Sequence, residues 1–212
     1  GLWTGVMTRM IAGSERDQKT SGSLETFSPL LRNWGKQEQG MNRKELETLL
    51  LTLESTPALV ARAATRLSAE ETRRRTADGA FSLIENVWHL ADLEQEGYAV
   101  RLRRILAEDD PFLSDFDGDR IARERNYQSR DLAKGLALFA TAREQNLETL
   151  RSLSPSAWRR TGKQEGVGRV TLGDVARMMA EHDRSHTRDI TDLIAQFRGH
   201  SDSRRRPTSV MA

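Results

Sequence analysis

The chain of 212 residues is 37% apolar and 30% charged, and its 33 Lys and Arg nearly balance 31 Asp and Glu. This length suits one domain with a real core, and the modest apolar share places some residues outside it. Charges of both signs are interspersed, which excludes an extended nucleic-acid footprint, and the absence of cysteine excludes disulfides, thiolate-bound zinc and a cysteine nucleophile.

Residues 1–40 are dominated by Gly, Ser, Thr, Gln and charged residues with no sustained period. They read as an extension, flexible or packed on the domain through Trp3, Phe27, Leu30, Leu31 and Trp34. Met41 reads as the natural start, and residues 1–7 lack the long apolar run of a signal peptide. No stretch approaches the ~18 consecutive apolar residues of a membrane span.

Residues 41–198 read as helical almost throughout, because alternating β-branched runs are missing and aromatics are only 6%. The first segment, about 42–67, is expected to break near Pro57, where Thr56-Pro57 has the form of an N-cap followed by proline. Capping boxes or their aspartate analogue are expected at Ser68 with Glu71, Ser82 with Glu85, and Thr171 with Asp174. The second segment runs from about 82 to 108. Residues 109–129 are too long for a tight turn, so a crossover connection is expected, with a short helix near Ile121 to Tyr127.

On the third segment, 130–153, Leu132, Leu136, Phe139, Arg143, Leu147 and Leu150 step by three or four, with one charged interruption. Ser154-Pro155 is another cap-plus-proline start. The glycine-rich stretch 161–170 reads as a loop before the last segment, 171–198. Residues 199–212, with Arg204, Arg205 and Arg206, read as a solvated tail. Four helices with one apolar stripe each can bury those stripes only against one another, so the expected fold is an all-α four-helix bundle with a crossover connection.

The last segment carries the chemistry. Val175, Met179, His182, His186, Ile190, Leu193 and Phe197 lie on one helical face, so both histidines sit on the core-facing stripe. Imidazoles at i and i+4 can converge on one ion with bonds of ~2.0–2.1 Å. The same spacing also suits surface or hydrogen-bonded core histidines. His89 stands at the margin of the second helix's apolar stripe, where it serves equally as a ligand or a boundary residue, and His200 falls in the tail. Glu85, Asp92 and Glu181 are candidates to orient the rings, or are capping and solvated charges. Met178 and Met179 read as core fillers, and Tyr98 and Tyr127 as packing residues with a wet hydroxyl. No residue stands out as a general acid or base.

Several stretches resemble the DinB superfamily, which includes metal-dependent hydrolases of the YfiT type and low-molecular-weight thiol transferases. The segment from Phe81 through Trp88-His89-Leu90-Ala91-Asp92 to Glu94 looks like its second helix. Arg101 to Leu106, Asp109-Asp110-Pro111-Phe112, Arg160-Thr161-Gly162, Gly168 to Leu172, and Glu181-His182-Asp183-Arg184-Ser185-His186 follow in the family's order, over roughly residues 43–197. The resemblance implies that His89, His182 and His186 hold one metal ion inside the bundle. One departure is that relatives carry a histidine in the loop after Arg-Thr-Gly, where this chain has Lys163 and Gln164.

Three imidazoles without a fourth protein ligand leave positions open for water or substrate, and all-nitrogen ligation suits zinc, nickel, copper or iron rather than magnesium or calcium, with one divalent transition metal ion, zinc or nickel, the expectation here. The implied function is activation of a low-molecular-weight thiol, brought as a co-substrate, for transfer to a small electrophile. The alternatives are a metal-dependent hydrolase and a non-catalytic, metal-stabilised binding protein. A cytoplasmic location and a homodimer, with no nucleic-acid or membrane partner, complete the expectation.

Overall fold

The computed structural model describes residues 42–76 and 79–205, with side chains as far as Arg198. The expected extension before residue 42, and the end of the tail beyond 205, lie outside the described residues. Four helical stretches form the bundle. They are α1 (Arg43–Ala64), the continuous run α2 (Leu83–Asp92), π-turn (Leu93–Tyr98) and α3 (Ala99–Ala107), then α5 (Leu132–Arg151) and α6 (Leu172–Arg205). The crossover between the second and third carries β1 (Phe112–Leu113) and α4 (Gly118–Glu124), slightly ahead of the short helix expected there. Helix α6 continues past 198 into the stretch read as a tail.

The caps explain the starts. Asn42 Oδ1 accepts from Glu45 N at 3.0 Å while Glu45 returns a bond to Asn42 N at 2.9 Å, opening α1. Glu85 accepts from Ser82 N at 3.0 Å and Ser82 Oγ at 2.7 Å. Thr171 and Asp174 exchange bonds of 2.9 and 3.0 Å before α6. The pair Ser68 and Glu71 closes at 2.8 and 3.2 Å, but over a single 3₁₀ turn. Ser154 likewise starts only a 3₁₀ turn, Ala157–Arg159.

Two expectations fail for local reasons. Helix α1 does not break at Pro57, and Thr56 is no cap; its hydroxyl bonds back to Thr52 O at 3.0 Å. Proline has no N–H to give the carbonyl four residues back, which is that of Leu53. That carbonyl instead accepts from Arg143 Nη1 of α5 at 2.9 Å, so a distant side chain replaces the missing helical bond.

The stretch 161–170 is not a loop but a hairpin, β2 (Thr161–Gln164) and β3 (Gly168–Thr171), with β1 added parallel to β2. Strands of two to four residues are too short to show a period. The turn is made by Gly166 and Gly168 at φ 72° and 100°.

Helix α1 packs on α5 and α6, and α2 packs on α5 and α6. The crossover and its short helix add a further layer, so every residue of α2 is buried, not just one stripe. At the π-turn, Gly97 lies against Leu93, where a Cβ would collide with that side chain. Glu94 and Tyr98 turn inward there, each 1% exposed. Among the described residues, no helix is long and apolar enough to cross a membrane.

Candidate metal centre

Helix α2 brings His89 and helix α6 brings His182 and His186 to one point. His182 Nε2 lies 3.1 Å from His89 Nε2 and 3.0 Å from His186 Nε2. His89 and His186 are 1% and 8% exposed, whereas His182 is half-buried and marks the more open side. The ring of His89 meets Phe81 and Phe116 edge-on, with centroids 5.8 and 6.0 Å away, and Tyr98 meets His182 at 6.2 Å. The boundary position expected for His89 is therefore wrong. The layer over α2 encloses it.

Burial favours the uncharged imidazole. It pushes His89 and His182 well below the ordinary histidine value, and His186 down to about 4 despite the opposing pull of Asp183. Neutral rings set up a conflict. Asn86 Nδ2 donates to Phe81 O and Ser82 O at 3.1 and 3.0 Å, which turns its Oδ1 toward His186 Nδ1 at 2.6 Å. His186 thus carries its proton on Nδ1 and presents a lone pair at Nε2. If His182 Nε2 carries a proton, it can point at only one of its two neighbours; if it does not, its lone pair faces that of His186 Nε2 at 3.0 Å.

One cation resolves this, since bonds of ~2.0–2.1 Å at near-tetrahedral angles separate ligand nitrogens by ~3.3 Å. The donor set therefore fits a divalent transition ion with positions left open for other ligands. The Nδ1 atoms of His89 and His182 have no hydrogen-bond partner among the described residues.

Asn86, which the sequence reading did not single out, is the residue that orients a ligand ring. The carboxylates considered for that task are engaged elsewhere. Glu85 holds Arg75, Ser82 and Gln128; Asp92 accepts from Tyr127 OH and Arg125, both at 2.6 Å; Glu181 lies on the outer face 3.5 Å from Arg184. Met178 and Met179 fill the core, as expected.

Arg143, read as an interruption of the α5 stripe, is 1% exposed and lies at the centre of a second buried network. It gives two bonds to Glu94 (2.8 and 2.9 Å) and two to Asp183 (2.6 and 2.9 Å), and Asn146 adds one to Glu94 at 2.9 Å. In the hairpin, Lys163 is exposed and lies 3.6 Å from Asp110, while Gln164 points inward at 2% exposure.

A bundle whose second and last helices converge three imidazoles defines a class of helical proteins with an internal metal-ligating face. Within that class, a family model of the DinB superfamily matches residues 52–190, and the chain belongs to that superfamily. It is 26% identical over 141 residues to the Oceanobacillus iheyensis protein named "Putative metal-dependent hydrolase OB0782", an alignment spanning 66% of this chain and 81% of the relative. Its fold is similar, with a TM-score of 0.70 and 21% identity, to YfiT from Bacillus subtilis, described as a probable metal-dependent hydrolase with an unusual four-helix bundle topology. That match covers 76% of this chain and 93% of YfiT.

Proposed function

We propose that this protein is a metal-dependent enzyme in which His89, His182 and His186 hold one zinc or nickel ion, and that it activates a low-molecular-weight thiol for transfer to a small electrophile. The convergence of three Nε2 atoms, with His182 on the open side, carries the reading. When bound, such an ion lowers the pKa of a coordinated thiol or water toward neutrality.

The chain's own residues supply orientation and enclosure. Asn86 fixes the tautomer of His186, and Phe81, Phe116 and Tyr98 wall the site with aromatic edges that limit water. The thiol reading is supported by the state of the nearby carboxylates. Glu94 and Asp183 are tied to Arg143, and Glu85 to Arg75, so none of these three is free to take a proton from water. A bound thiol and a bound water would be ionised alike, but hydrolysis also needs a proton delivered to its leaving group, a task for which none of these carboxylates is free.

The names of the relatives favour a second reading, hydrolysis. A homodimer in the cytoplasm remains part of the proposal. The test uses metal-loaded protein with 1-chloro-2,4-dinitrobenzene and a panel of small thiols, beside 4-nitrophenyl acetate without thiol. Thiol-dependent turnover that disappears in His182→Ala supports transfer, and thiol-independent ester cleavage that disappears with it supports hydrolysis instead.

A further inference from the structure

Gln164 is 2% exposed, yet neither atom of its amide has a hydrogen-bond partner among the described residues. A buried amide left unpaired destabilises the fold, so such a group is expected where a ligand completes its bonding. On β2, the alternation that exposes Lys163 turns Gly162 and Gln164 to the inner face of the sheet. Across the sheet, Gln164 lies in register with Leu113, and the next carbonyl, Ser114 O, accepts from Arg101 Nη2 at 3.2 Å.

Arg101 is itself only 3% exposed, with Asp115 4.0 Å away. Its guanidinium carbon stands 5.5 Å from the centroid of the Tyr98 ring, and that same ring meets His182 edge-on. A line of contacts therefore runs from the half-buried member of the histidine cluster, past Tyr98, to a buried guanidinium beside the strand pair that holds Gln164.

We propose that Arg101 and Gln164 form the recognition end of the site and bind the carboxylate of the small molecule whose reacting atom lies at the three histidines. A guanidinium offers a planar fork that matches a carboxylate, and the amide N–H₂ of Gln164 adds a neutral donor. The carboxylate belongs either to the thiol or to the electrophile. This inference rests on the reading of the histidine cluster as the reacting centre.

The test is calorimetric titration of the full chain with matched probes, alongside metal analysis of each protein. For the thiol source the pair is 3-mercaptopropionate and 1-propanethiol. For the electrophile source it is 4-chloro-3-nitrobenzoate and 1-chloro-2-nitrobenzene. Butyrate, which carries no thiol, is titrated into metal-free protein.

The expected result is at least tenfold tighter binding of the carboxylated member of one pair, with that preference lost in Gln164→Leu and Arg101→Met while metal content stays unchanged. Gln164→Leu should also raise Tm, because it removes a buried amide that has no partner among the described residues. Equal binding of both members in both pairs, or a lowered Tm in Gln164→Leu, overturns the proposal. Wild-type protein that takes up no metal yet binds butyrate through Gln164 overturns the metal reading and leaves the carboxylate site standing.

Discussion

Asp183 and His182 are neighbours on α6, and they enter two buried polar regions of different character. Asp183 shares Arg143 with Glu94, and the two carboxylates take four guanidinium bonds between them, while the remaining guanidinium contact goes to Leu53 O. His182 faces two other imidazoles across 3.0–3.1 Å, and its Nδ1 has no partner among the described residues. The first region is closed and ties α1, the π-turn, α5 and α6 together. The second leaves ring nitrogens unpaired among the described residues. A buried polar group with all its bonds made is part of the scaffold; one with bonds to spare in a site is part of the function.

The largest effect should come from opening the closed region. Arg143→Met leaves Glu94 and Asp183 buried without their counter-charge, and we expect a loss of about 3–5 kcal/mol in chemical denaturation. Loss of less than 1 kcal/mol would mean that the network is not the structural tie described. Next comes Asn86→Ala, which frees the His186 ring. Metal affinity should fall ~10–100-fold, read by chelator competition, and the metal-free protein should lose about 1–3 kcal/mol because buried partners of Asn86 are left unpaired. Unchanged affinity would place the orientation of that ring elsewhere.

Acidification should separate the two regions. In metal-free protein, the unfolded histidines take up protons near pH ~6.5, whereas the folded ones, held down by burial, do not. The stability they contribute is complete above pH ~6.5 and is lost as pH falls toward the folded values, about 4 for His186. Arg143, whose pKa is raised by its carboxylate partners against the opposing effect of burial, stays charged throughout. Urea midpoints that stay flat from pH 7 to 5 would contradict the neutral cluster.

The smallest effect belongs to Pro57→Ala. The new N–H can share Leu53 O with Arg143, so we expect a change within about 1 kcal/mol. In that background Arg143→Met should cost slightly less, because the carbonyl keeps one partner.

The same contrast explains what could be read in advance. The caps at Ser82 and Thr171, and the i, i+4 pair on α6, are local signals, and they gave the helix starts and two of the three histidines. His89 was legible only through its resemblance to a family helix, because burial on all sides of α2 erases the stripe that marks an inward position. Asn86 was hidden for the same reason. Arg143 and Pro57 each look like a defect in a helix when read alone; they make sense only as a pair brought together across the bundle. The hairpin escaped because its strands are shorter than any period they could display.

The most direct measurement is the metal content of freshly purified protein beside His89→Ala and His182→Ala. We expect about one equivalent of zinc or nickel per chain in the first and none in either variant, with helical circular dichroism retained. No metal in the wild type after reconstitution, or full occupancy in both variants, would contradict a three-histidine centre.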